Sequence, residues 1–282
     1  MNQLLKDTSV GHTQPRLKTD SLRFSPGDGV LLIGHGTRDA NGTAQFFDLG
    51  KKLAKRLQPV PVESCLLELQ SPTIAEGWQR LVHRGVHQIL ASPLLLFSAG
   101  HAKSDIPDAL NRCLETSGGM SWQESRVLSR APELLRLVLL RLDDSLNQST
   151  GTKASTAVVM VGRGSFDPCA QADMKLLTHW VAGQRSAAMF TTAFYAMANP
   201  KLPDVLRHVA ANNSIRTIVV QPHLLFEGNL YQSIVSQVNE IEREFPAKQF
   251  IVSAYLGPEV EVADALIRRL GQQLTNRQRY SI

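Results

Sequence analysis

The chain contains the same framework twice. LLIGHGTRD at 31–39 returns as VMVGRGSFD at 159–167, SCLLELQSPTI at 64–74 as TTAFYAMANPKL at 191–202, and SPLLLFSAGH at 92–101 as QPHLLFEGN at 221–229. Pro72 and Pro200, like Gly100 and Gly228, stand 128 residues apart. An internal repeat settles architecture before any single element does. It also separates scaffold from chemistry. His35, Glu68 and His101 in the first copy face Arg163, Ala196 and Asn229 in the second, within neighbourhoods that are otherwise kept. The copy that retains two imidazoles and a carboxylate is the working half.

Within each copy, short apolar runs alternate with helical stripes. GVLLIGHG reads as a buried strand ending in a glycine-flanked turn, and AQFFDLGKKLAKRLQ carries Phe46, Leu49, Leu53 and Leu57 at helical spacing. VESCLLEL, VHQILASPLLLF and SWQESRVLSR are further strands, with Glu68 late in the second. SPTIAEGWQRLVHRG opens with a Ser-Pro helix start. Residues 105–115 and APELLRLVLLRLDDSL read as helices. Such alternation predicts α/β domains with parallel sheets covered by helices on both faces. The expected organisation is a loose tail at 1–28, similar domains of about four strands at 29–146 and 156–272, a polar linker at 147–155 and a tail at 273–282, with a cleft between the domains.

Bulk properties narrow the classes of function. With 282 residues the chain has room for two cores, and no apolar run approaches the ~20 residues of a membrane span. The N-terminal stretch lacks the apolar centre of a secretory signal. Cys65, Cys113 and Cys169 are odd in number, without zinc-site spacing, which fits a reducing cytoplasm. The formal charge of +5 suits an anionic partner, but no dense basic tract interleaved with aromatics points to nucleic acid. Neither GxGxxG, GxxxxGK[ST] nor GxSxG is present, which removes the mechanical signs of nucleotide binding and of a serine-hydrolase elbow.

His35 follows the first strand between Gly34 and Gly36, and His101 follows Gly100 after the third. Open α/β sheets bind ligands beyond the carboxyl ends of their strands, so both imidazoles and Glu68 are placed at one rim. Two histidines and a carboxylate form a serviceable ligand set for iron, cobalt or nickel. The flanking glycines let a large flat ligand approach the backbone. Asp39 and Asp167 occur in both halves, which assigns them to turns or helix caps. His83 and His87 are interrupted by Gly85 and do not share a helical face, and His223, matching Leu94, reads as a packing residue.

GHGTRD, LELQSPTI and PLLLFSAGHAKSDIP, in this order after three successive strands, resemble the sirohydrochlorin chelatases of CbiX/SirB type, the class II chelatases. The resemblance runs over roughly residues 29–272 and implies insertion of Co2+ or Fe2+, with Ni2+ a third option, into sirohydrochlorin on the way to cobalamin or sirohaem. It implies that His35 and His101, with Glu68, handle metal and protons; that metal is a substrate and no prosthetic group is held; and that the long chain is a monomer enclosing a pseudo-dimer. Arg38, Lys103 and Arg163 are the nearest candidates for binding the carboxylates of this tetrapyrrole. The C-terminus, RLGQQLTNRQRYSI, lacks the His-rich tract and iron–sulfur cysteines of some cobalt-type members. A non-catalytic tetrapyrrole or metal carrier and a metal-dependent hydrolase are the alternative readings.

Overall fold

A computed structural model describes residues 22–98 and 100–279, without the side chains of His101, Ala102, Gln278 and Arg279. The first half runs β1 (Asp28–Gly34), α1 (Ala40–Leu57), β2 (Val62–Leu66), α2 (Ile74–His83), β3 (Gln88–Pro93), a π-helical turn (His101–Asp105), α3 (Ile106–Glu115), β4 (Ser121–Glu124) and α4 (Pro132–Leu146). The second half runs β5 (Thr156–Gly162), α5 (Pro168–Gln184), β6 (Met189–Phe194), α6 (Leu202–Ala210), β7 (Thr217–Pro222), α7 (Asn229–Glu244), β8 (Gln249–Val252) and α8 (Val260–Arg279). The sheets have orders β2-β1-β3-β4 and β6-β5-β7-β8, all parallel. This is the expected α/β architecture of two similar domains.

Strand register reproduces the sequence repeat. Gly34 pairs with Leu66, as Gly162 does with Phe194, both 128 residues on. At the next strand the offset grows by one, because Ile33 pairs with Pro93 but Val161 with Pro222. The loop after β7 is one residue shorter, which restores the spacing at Gly228.

β1 and β5 are buried along their whole length, as central strands covered on both faces must be. α2 and α3 cover the outer face of the first sheet through Trp78, Leu81 and Leu110, while α6 and α7 cover that of the second. One continuous core lies between the sheets, drawing on Leu32 and Leu90 of the first and Val158, Met160 and Val219 of the second.

The last helix of each half is exchanged. α4 packs on β7 of the second sheet, α8 packs on β3 of the first, and the two helices pack on each other. Polar contacts fix the exchange. Arg277 of α8 donates two 2.8 Å hydrogen bonds to the buried Asp28 carboxylate of β1, and Arg268 pairs with the buried Glu133 of α4. α8 therefore continues to Arg279, beyond the expected domain end at 272, because Leu274 and Arg277 still have partners on the body. At the other end Leu22 and Phe24 pack on the shared core, so the loose-tail expectation does not extend to them; residues 1–21 lie outside the described ones.

Helix starts follow local chemistry. Asp39 caps α1 by accepting from the Gly42 N–H at 2.9 Å, and Asp167 caps α5 by accepting from Cys169 N–H at 2.8 Å. α2 does not begin at Ser-Pro. Ser71–Pro72 is a cis bond ahead of the helix, and Thr73 with Glu76 forms a reciprocal capping box, so the hydroxyl and carboxylate satisfy N–H groups that proline cannot.

Candidate active site

Three adjacent strands bring the first-half candidates to one edge. His35 follows β1, Glu68 lies two residues past β2, and His101 opens the turn after β3; β1 sits between β2 and β3. Parallel strands end together, so all three backbones share a rim. The His101 side chain lies outside the described residues. Among the described residues, no group of three or more His, Cys, Asp or Glu side chains is placed to hold a metal ion.

Glu68 is in a loop, not late in a strand. β2 stops at Leu66 because the chain turns back on itself: Leu69 adopts φ 74°, and the Leu66 N–H donates to the Pro72 carbonyl at 2.7 Å. The turned segment is stitched to the loop after β1. Glu68 N–H donates to the His35 carbonyl at 3.1 Å, and Gln70 Nε2 donates to the Thr37 carbonyl at 2.6 Å. This close approach requires glycine at 36, where φ is 98° and a Cβ would lie 2.1 Å from the Glu68 carbonyl oxygen.

His35 Nδ1 is 3.3 Å from Glu68 Oε1 and 3.1 Å from the Gly36 carbonyl oxygen. Both neighbours are acceptors, so the arrangement suits a hydrogen on Nδ1. The second half repeats the frame without the chemistry. Gly164 has φ 92°, Met197 has φ 53°, and Ala196 N–H donates to the Arg163 carbonyl at 2.8 Å. There Ala196 supplies no carboxylate.

Both frames open on one cavity of about 1250 Å3, larger than the ~300–1,000 Å3 usual for small-molecule pockets. His35, Arg38 and Leu69 line it from the first half, and Arg163, Phe166 and His223 from the second. Arg38 and Arg163 are exposed and form no salt bridge among the described residues. Lys103 differs: its Nζ is 2.6 Å from Asp167 Oδ2 across the cleft. That hydrogen bond raises the Lys103 pKa and lowers that of Asp167. His83 ends α2 and His87 precedes β3, both exposed and away from the cavity lining.

Reading the sequence alone put His223 in the packing, and it is indeed 4% exposed, with its ring against Phe97 at 5.1 Å. It also lines the cavity, which a match to Leu94 did not reveal. Burial pushes its pKa down to about 3, so the ring is neutral in the folded protein. The unfolded chain, with an ordinary imidazole near ~6.5, binds the extra proton first as pH falls. His223 therefore leaves stability intact above ~6.5 and reduces it as pH drops toward 3. His223→Leu, which installs the residue found at the matching place, is expected to remove about 2 kcal/mol of the stability difference between pH 7 and pH 5. Urea unfolding of both proteins at the two pH values measures it; equal pH dependence refutes it.

A two-lobed α/β protein with a histidine–carboxylate pair on one wall of a large shared cleft is the class that these features define. The CbiX family model matches residues 29–145 and 157–273, one copy on each repeat, and the chain belongs to that family. It is 30% identical over 251 residues to a sirohydrochlorin ferrochelatase of Bacillus subtilis, covering 88% of this chain and 92% of the relative. A sirohydrochlorin cobaltochelatase of Priestia megaterium is 26% identical over 228 residues, 81% of this chain and 74% of the relative. The solved structure of SirB from Bacillus subtilis with Fe3+ superposes with a TM-score of 0.79 at 25% identity, covering 90% of this chain and 98% of that one.

Proposed function

We propose that this protein is a sirohydrochlorin metal chelatase, a lyase that inserts Fe2+ or Co2+, with Ni2+ a further candidate, into the tetrapyrrole. The observation that carries the reading is the His35–Glu68 pair at 3.3 Å, set by a glycine-dependent backbone contact on the wall of a cavity large enough for a macrocycle. Full-length relatives named as ferrochelatase and cobaltochelatase support the same activity.

Metal entry requires loss of two pyrrole N–H protons and of the metal's bound water. Glu68 and the Gly36 carbonyl accept from Nδ1 of His35, fixing the tautomer and the orientation of the ring. The imidazole of His35 then accepts a pyrrole proton or presents the metal. One lone pair cannot do both at once, so His101, on the same rim, takes the complementary part. Glu68 passes protons outward, since its side chain is 46% exposed. Arg38 and Arg163 hold peripheral carboxylates through charge-assisted hydrogen bonds. Lys103, engaged by Asp167, serves the cleft by tying its halves.

The test is anaerobic incubation of sirohydrochlorin with Fe2+, Co2+ or Ni2+, followed by absorbance. A rate above the spontaneous one supports the assignment, whereas binding without acceleration identifies a carrier. Arg163→Ala is expected to raise the KM for sirohydrochlorin about tenfold while lowering kcat much less. The reverse pattern removes the carboxylate role.

A further inference from the structure

The cleft also carries apolar side chains that the fold leaves uncovered. Phe166 is 81% exposed and Leu69 51%, and both line the cavity, one from each half. A single exposed phenyl ring needs no explanation, but here it joins Leu69, Met197, Leu225 and Phe226 on the lining of one cavity, and an apolar surface of that kind marks a ligand-binding groove. Neither Phe166 nor Leu69 sits on a loose loop. On one side of Phe166 the Ser165 carbonyl accepts from Gln171 Nε2 at 2.8 Å. On the other, Asp167 N–H donates to Ser165 Oγ at 3.0 Å, while the Asp167 carboxylate caps α5 and pairs with Lys103. Leu69 is held between Glu68, bonded to the His35 carbonyl, and Gln70, bonded to Thr37 and Thr43. Its left-handed backbone recurs at Met197, another apolar residue on the cavity wall. Phe166 itself stands where the first half has Arg38.

We infer that Phe166 is a stacking platform for the flat face of the tetrapyrrole, with Leu69 as the apolar counterpart from the opposite half. This deepens the chelatase reading and rests on it. A polycarboxylate macrocycle is a disc with an apolar face and a charged edge. Arg38 and Arg163 suit the edge, and the phenyl ring suits the face. Aromatic pairs favour offset-stacked or edge-to-face contact, and a platform fixed before binding gives up little entropy on ordering. The replacement of Arg38 by Phe166 at the matching place also breaks the two-fold degeneracy of the cleft. A disc bound face-down on Phe166 presents its other face to the half that bears His35.

Phe166→Ala, Phe166→Trp and Leu69→Ala are compared with the unaltered protein in anaerobic kinetics and in titrations with metal-free sirohydrochlorin. Phe166→Ala is expected to raise the KM and Kd for sirohydrochlorin about tenfold, far more than the KM for metal. Phe166→Trp is expected to retain affinity, and its added fluorescence to be quenched by the macrocycle. Leu69→Ala weakens binding by a smaller factor. Circular dichroism checks that each variant is folded, which the exposure of both side chains favours. Affinities within twofold of the unaltered protein for Phe166→Ala, in an active enzyme, overturn the platform and leave the chelatase reading standing. Absence of both binding and insertion in the unaltered protein removes the two together.

Discussion

His35→Ala is expected to lower kcat/KM for metal insertion by about a hundredfold or more, with the protein still folded. General acid–base groups contribute roughly 10^2–10^4 in rate, and this nitrogen is assigned either to proton acceptance or to metal delivery. His35 is only partly buried, so its truncation leaves the core packing untouched. Glu68→Ala is expected to cost about 10–100-fold, the range seen when a partner that orients a histidine is lost. Glu68→Gln should cost less, because its amide oxygen still accepts from Nδ1. His101→Ala should match His35→Ala, given its place on the same rim. Saturated anaerobic rates with one metal, together with thermal melts, provide the comparison. Unchanged rates in both histidine variants end the proposed chemistry. Equal losses for Glu68→Gln and Glu68→Ala would show that the negative charge, not the acceptor, is what matters.

The second large effect comes from the paired glycines. Gly36→Ala and Gly164→Ala each place a methyl group against a carbonyl oxygen, 2.1 Å from that of Glu68 and 1.8 Å from that of Ala196, at φ 98° and 92°. Each is expected to cost roughly 2–4 kcal/mol of stability, from unfavourable backbone conformation plus steric displacement. Their effects on activity should diverge. The methyl at 36 pushes away the residue whose carboxylate holds His35, whereas the methyl at 164 disturbs a loop that carries alanine. Urea unfolding gives the stability terms, and assays well below the melting transition give the rates. A Gly36→Ala protein that is folded and fully active would separate the glycine contact from the catalytic pair.

How much of this was legible in the sequence depends on whether the cause is local. Alternating apolar runs and helical stripes specify strands and helices through side-chain periodicity, so both sheets were expected with their strand number. Asp39 and Asp167 were read as turn or cap residues because an aspartate two or three residues from a free N–H needs no distant partner. The location of Glu68 was misread by two residues. Nothing in VESCLLELQ marks where β2 ends, since that depends on Leu69 turning into a left-handed conformation against the loop after β1. The Ser-Pro helix start failed similarly, because Thr73 and Glu76 offered a better cap two residues later.

The exchange of α4 and α8 had no local signature at all. Both helices are amphipathic, and amphipathicity states that a face must be buried without stating on which sheet. The same applies to Lys103: its charge suits a substrate carboxylate, and only the folded cleft shows that Asp167 stands beside it. His223 illustrates the limit from the other side: its apolar neighbours pointed to burial, while its place one residue past β7, on the cavity wall and against Phe97 of the other half, is set by the tertiary structure.

The sequence by itself determined the duplication, the α/β class and the half that keeps the nitrogen and oxygen donors, because periodicity and repeat are properties of neighbours along the chain. Only the tertiary structure decided that His35 Nδ1 meets Glu68, that the two halves trade helices, and that Phe166 and Leu69 stand uncovered in one cleft. Those facts depend on distances between residues far apart in the chain, which are set when the shared core closes and which no local pattern encodes.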